Sequence, residues 1–249
     1  MATTKRIQLE PAWLLHSRDF RDSSRIIEFY TREHGRVSLF ARGVRGTKSR
    51  QAALLQPFVP LLISWSGSGD GGSFSTAEPN GPPVAVSARC LMSAFYINEL
   101  MLKLLGREDP HPELYALYGQ AVAALVQVET EARGLRLFEK RLLEAIGFGV
   151  DYGRVVSTGD LVEANQYYHV QPGRGVLGVA RRAEGDGVYL GTCLLSLSLE
   201  ELADDASVLA AKRLLRAAIG EALEGRPLAT RRVARAVRDA NQDKQETTP

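Results

Sequence analysis

At 249 residues, with 45% hydrophobic and 24% charged side chains, the chain has the composition of a soluble globular protein with room for one large domain or two modest ones. The net charge of +2 excludes a uniformly basic nucleic-acid coat, so affinity for a polyanion must come from uneven placement of charge. No apolar run approaches the roughly 18 residues of a membrane span, and neither an apolar leader nor an Asn-x-Ser/Thr sequon is found. Cys90 and Cys193 read as buried thiols rather than a disulfide or metal pair, so the expected setting is a reducing cytoplasm with no membrane partner.

Residues 5 to about 80 read as all-β. Ile7–His16 is a strand that breaks at Pro11 and resumes at Trp13, and Ser24–Thr31 alternates loosely. Arg36–Arg42 alternates cleanly, with Val37, Leu39 and Ala41 on one side and Ser38, Phe40 and Arg42 on the other. Leu54–Trp65 is apolar, and Pro57 and Pro60 place it at an edge or a bend. Gly67–Gly72 is a hairpin turn from which Ser73–Glu78 returns. Five short strands in so few residues predict a small barrel, most commonly an OB-fold.

Asn80-Gly81-Pro82-Pro83 marks the expected boundary between a first domain, 1–80, and a helical domain, 81–241. Helical spacing runs over Ser87–Leu105, Pro112–Val128 and Glu131–Ile146. Asp151–Thr192 reads as an irregular insert, with Tyr167–Val170 as a candidate short strand. Leu197–Leu202 opens a return to helix, followed by helices over Ala206–Leu223 and Leu228–Val237 and a disordered tail, 242–249. The fold class is therefore α+β.

Charge is concentrated in two places. Thr31–Arg50 holds Arg32, Arg36, Arg42, Arg45, Lys48 and Arg50 against one acid, Glu33. Lys212–Arg238 holds eight Lys and Arg, including Lys212, Arg213, Arg216 and Arg231, against Glu221 and Glu224. A strand feeding a basic, Gly-punctuated loop suits a nucleic-acid backbone, and a solvated loop is the plain alternative. Phe40 either stacks on bases or faces the barrel core, the commoner role for Phe.

Other motifs fail on context. Gly67, Gly69 and Gly72 fit G-x-G-x-x-G, but the helix needed to hold a pyrophosphate has no room before Asn80. Gly43–Ser49 lacks the adjacent Gly-Lys of a phosphate-binding loop. His16, His34, His111 and His169 are scattered, and Asp204-Asp205 suits a helix start, so nothing proposes a catalytic centre or a cofactor.

Several segments, in order, resemble the RecO family of bacterial DNA repair proteins. They are Leu15–Phe20, Phe29–Val37, Ala41–Arg45, Leu55–Phe58, Tyr96-Ile97-Asn98-Glu99-Leu100, Leu137–Glu139 with Leu142-Leu143 and Gly147-Phe148-Gly149, and Ala211-Lys212-Arg213. The resemblance spans roughly residues 13–216. It implies an OB-fold followed by a helical domain and a non-enzymatic recombination mediator that works at the nucleoid. Such proteins bind single- and double-stranded DNA and anneal complementary strands without ATP. With RecR they help replace single-strand binding protein by RecA, contacting the acidic, Phe-ended tail of the former. Many members carry a four-cysteine zinc site after the Gly-Phe-Gly helix end. Asp151–Gly159 has no cysteine, so no metal is expected.

On this reading Arg36, Arg42, Arg45, Lys48 and Arg50 contact phosphates, and Lys212, Arg213 and Arg216 offer a second surface for another strand. Arg136, Phe138, Lys140 and Arg141 are the candidate site for the partner tail, a Phe pocket with a basic rim. An adaptor acting mainly through protein partners is the alternative, and an enzyme of unrecognised type comes third.

Overall fold

Alternation in β3 (Gly35–Ala41) carries through without exception. Val37, Leu39 and Ala41 are buried, while Arg36, Ser38 and Phe40 lie half-buried on the opposite face. The computed structural model describes residues 5–44, 50–67, 71–180 and 185–246, with backbone alone at Arg50 and from 238 onward. In it β3 is one stave of a closed barrel of β1 (Lys5–Phe20), β2 (Ser24–Thr31), β3, β4 (Pro60–Gly67) and β5 (Gly72–Pro79), in the order β1-β2-β3-β5-β4. That order, with β3 and β5 parallel and the other pairs antiparallel, is the OB-fold arrangement. The barrel is filled by alternate residues, among them Leu14, Ile27, Phe29, Leu39, Leu61, Ile63 and Trp65.

The expected break at Pro11 does not occur, and β1 runs on for 16 residues. The ladder with β4 already shifts register between Ile7 and Glu10, where Leu9 takes φ +50° and its N–H donates to Ser64 Oγ at 3.1 Å. Proline therefore follows a bulge, where an absent donor costs little. The expected strand over Leu54–Trp65 is also shorter. α1 (Arg50–Leu54) precedes it, Phe58 turns the chain at φ +63°, and Pro60 opens β4. The Gln51 side chain clamps β5, donating to Ala77 O at 3.2 Å and accepting from Ala77 N at 2.8 Å. The tip of the predicted hairpin, residues 68–70, lies outside the described residues.

Contacts divide the chain into two units, Met1–Val128 with Leu228–Pro249, and Glu129–Pro227. The first unit adds α2 (Leu91–Leu104), α3 (Pro112–Ala123) and α7 (Ala229–Glu246) to the barrel, so the sequence break at Asn80 falls inside it. β1 is consequently buried on both faces from Ala12 to Leu15. Trp13 packs at 5.3 Å on the ring of Tyr118 from α3. The α2 amide of Asn98 joins these layers. Its Nδ2 donates to Leu15 O at 3.0 Å, and its Oδ1 accepts from Tyr118 Oη at 2.6 Å.

The second unit contains α4 (Val128–Ala145, which begins at the unit boundary), α5 (Gly191–Ser198) and α6 (Asp205–Ala222). α6 is capped by Asp204, which accepts from Ser207 N at 2.8 Å. The insert read as irregular forms a three-stranded antiparallel sheet, with β6 (Tyr167–Gln171) between β7 (Gly175–Val179) and β8 (Val188–Leu190). The candidate strand Tyr167–Val170 is β6, while β7 and β8 are too short to show a period in the sequence. The return to helix comes earlier than Leu197, at Gly191. The predicted disordered tail is helical as far as Glu246, because α7 continues well past Val237.

The α7 N-terminus is held by Glu99, whose carboxylate accepts from Ala229 N at 2.7 Å, Thr230 N at 2.9 Å and Thr230 Oγ1 at 2.6 Å. Burial alone would raise its pKa. The bonds from Thr230 and Ala229, with Lys103 at 3.5 Å, reverse this and hold the carboxyl below its ordinary value. A lowered folded-state value means that the contribution is complete above the ordinary carboxylate pKa, roughly 4.3. It is lost as pH falls through the lowered value. Exchange protection of the Ala229 and Thr230 amides, measured against α2, should therefore collapse first on acidification and be reduced at neutral pH in Glu99→Gln. Asn98→Leu should cost about 3 kcal/mol in urea unfolding, because two buried partners lose their bonds, whereas Tyr118→Phe should cost about 1 kcal/mol.

Candidate nucleic-acid interface

The outer face of β1–β3 is covered by helices at one end and open at the other. At the open end the ladder sets Arg18 of β1 opposite Ile26 of β2, and Ile26 opposite Phe40 of β3. Phe40 thus points out of the barrel and has no place in the core cluster. Its ring meets that of Phe20, 36% exposed, edge-on at 5.5 Å and 89°. The Arg42 guanidinium stands 5.5 Å from the Phe40 centroid, and that of Arg21 stands 5.3 Å from Phe20. Arg25 is tied to Asp19 at 3.3 Å, while Arg18 and Arg42 are exposed. Two phenyl rings flanked by three arginines form a surface on which bases can stack and phosphates can be neutralised.

The structure sorts the predicted phosphate contacts. Arg42 lies on this platform. Arg36 does not: it is half-buried, donates to Leu102 O and stands 4.0 Å from Glu28, whose other oxygen is 3.2 Å from Arg107. Burial lowers its pKa, the Glu28 charge works against this, and Arg107 adds to it. Arg36 therefore pins the chain after α2 and is not a free cation, a correction to the phosphate role expected of it. Arg45 and Lys48 lie outside the described residues, as does the side chain of Arg50. Lys212, Arg213 and Arg216 share an exposed stripe of α6 and form no ion pair with a described residue. Phe20, Arg18 and Arg21 went unselected. The signal for them is strand register, which brings Arg18 and Phe20 beside Phe40.

The predicted tail site differs more. Phe138 is 2% exposed and belongs to the buried side of α4. Arg136 is buried and paired with Glu139 at 3.0 Å. Lys140 contacts Glu144 at 2.8 Å and Glu200 at 2.7 Å, and Arg141 contacts Glu144 at 3.0 Å and Glu200 at 2.7 Å. Glu200 reaches both from a left-handed backbone at φ +61°. A Phe pocket with a free basic rim is thus not what these four residues build: the aromatic is core, and the cations are neutralised locally.

Among the described residues no group of three or more His, Cys, Asp or Glu is placed to hold a metal ion. Hydrogen bonds tie Asp151–Gly159, with Gly153 N donating to Asp151 Oδ1 at 2.7 Å and Arg154 Nη1 donating to Gly159 O at 3.1 Å. No described helix is long and apolar enough to cross a membrane.

Removing a cation from the α4 network should act on stability. Arg136→Ala leaves the buried Glu139 carboxylate without its cation and should cost about 3 kcal/mol in denaturant unfolding.

Comparison with known proteins agrees with this architecture. The family profile "Recombination protein O N terminal" matches residues 6–82, and "Recombination protein O C terminal" matches residues 89–232. The chain is 40% identical to a protein from Nitrosococcus oceani over 91% of its own length and 92% of the relative's. It is 39% identical to one from Coxiella burnetii over 92% and 98%, and 41% identical to one from Alkalilimnicola ehrlichii over 92% of each. Each of the three is named DNA repair protein RecO. With a barrel of OB order matched by one profile and the following helices and small sheet by the other, the chain belongs to the recombination protein O family.

Proposed function

We propose that this protein serves DNA repair and homologous recombination as a mediator that binds DNA and brings complementary strands together without ATP. The observation that carries the reading is the outward Phe20–Phe40 pair with Arg18, Arg21 and Arg42 on the open end of the barrel. Stacking on an aromatic is indifferent to base identity, as annealing of arbitrary sequences requires. The exposed stripe of Lys212, Arg213 and Arg216 offers a second strand a phosphate surface. Each unit then holds one polyanion. Exchange of single-strand binding protein for RecA, together with RecR, is the pathway role that fits such a carrier. The acidic tail of single-strand binding protein is the proposed partner, and on α4 it would have to compete with Glu144 and Glu200 for the exposed Arg141. The chemistry asked of the chain is binding and positioning, with no bond made or broken.

The test is annealing of two labelled complementary oligonucleotides, each precoated with single-strand binding protein, without ATP and across a salt series. The protein should accelerate annealing, and the acceleration should fall as salt rises. Phe40→Ala should weaken single-strand affinity about tenfold, the low end of one lost stacking contact. Arg42→Ala should reduce the log–log salt slope by about 0.7. Wild-type protein without effect on either coated or naked strands would overturn the reading.

A further inference from the structure

Among the described residues, the parallel pairing of β3 with β5 is Leu39↔Gly72 and Phe40↔Ser73. Beside these residues lies a cleft of about 420 Å³. That is the size of a small-ligand site and too small for a helix or a duplex. Its apolar lining comes from Ile7, Val37, Leu39, Trp65 and Pro110. The His34 ring meets the Trp65 indole edge-on at 5.2 Å and 85°, so two aromatics form one corner of the cleft. His34 Nδ1 is buried, has no hydrogen-bond partner among the described residues and stands 3.7 Å from Glu10.

Glycine keeps the cleft open. A Cβ on Gly72 would fall 2.9 Å from Trp65 Cδ1 and 3.0 Å from Leu39 Cδ2, and one on Gly71 would meet no described atom within 4 Å. Glycine in a strand at such a place marks close approach by another group. The rim is mixed: Lys5 and Arg107 supply cations, Glu33 and Glu108 acceptors. A polyanionic peptide would meet both acids, whereas a base, neutral and edged with donors and acceptors, suits a mixed rim, and one phosphate suits Lys5. Ser38 lines the cleft and lies on the same face of β3 as Phe40, roughly 7 Å away, so a strand crossing the platform passes the cleft mouth.

We propose that this cleft receives one unstacked base of a DNA strand whose neighbouring nucleotides lie on the Phe20–Phe40 platform. This inference rests on the DNA-binding reading above. Displacing a base from its stack lets the barrel hold a strand out of helical register, the state from which a complement can be sampled.

Trp65 reports on the cleft directly. The only other tryptophan is Trp13, whose Nε1 has no hydrogen-bond partner among the described residues, so Trp13→Phe removes its emission without removing a described hydrogen bond. In that background oligo-dT should quench Trp65 over the same concentrations that raise the anisotropy of labelled DNA. Ser38→Leu, which fills the cleft mouth, should lower affinity about tenfold and abolish quenching. Anisotropy without any change at Trp65 would overturn the cleft and leave the platform standing. No anisotropy change would overturn both. Quenching by an acidic peptide ending in Phe, with none by oligo-dT, would overturn the base and make the cleft a peptide site. The Trp65 signal of the Trp13→Phe protein decides the matter even if Ser38→Leu fails to fold.

Discussion

The side-chain amide of Asn98 is the joint on which the first unit depends. A buried amide must satisfy both its donor and its acceptor, and here each is satisfied by a different layer, the backbone of β1 and the phenol of α3. That requirement fixes the rotation of α2 about its own axis. Once fixed, Ile97 and Leu100 are fully buried, Glu99 faces the first turn of α7, and Tyr96 meets Arg231 of α7 at 3.2 Å. One turn of helix thereby connects the barrel, a neighbouring helix and a segment from the other end of the chain. Hydrophobic burial supplies most of the stability, but apolar surfaces slide over one another. The polar groups select one arrangement.

The same chemistry divides the arginines. Arg36 and Arg42 stand six residues apart on one strand and its exit, yet they have opposite roles. Arg36 lies where the helices cover the sheet, so its charge meets a carboxylate and a carbonyl of the chain itself. Arg42 lies beyond that cover, over the face of Phe40, and is exposed. A nearly neutral chain can thus keep a local cationic surface, because many of its other cations are cancelled at close range.

Alternation, turns and helical periodicity made the five strands and most of the helices legible. These are local signals, and β3 follows its pattern without exception. Of the small sheet in the second unit only β6 was legible, as the candidate strand Tyr167–Val170, since its short, Gly-containing or Gly-flanked partners β7 and β8 carry too little period to register. Arg42 and Phe40 were legible as neighbours on one face of β3, but Phe20 and Arg18 depended on pairing across three strands. Phe138 and Arg136 were misread for a related reason. A Leu-Arg-Leu-Phe-Glu stretch does not say which side of the helix faces water, and Arg136 satisfies its buried charge one turn away at Glu139.

The chain leaves the first unit at Val128 and re-enters it at Leu228. Synthesis proceeds from one end, so everything in Glu129–Pro227 is made before the helix that Glu99 caps. At roughly 5–20 residues per second, the barrel and its first helices wait on the order of ten seconds with that carboxylate unoccupied and the α7-facing side of α2 bare. The first unit is therefore a late-closing body. Its last element arrives only after the inserted unit has had time to fold, and a chain truncated within the insert never presents a finished barrel unit to the cell.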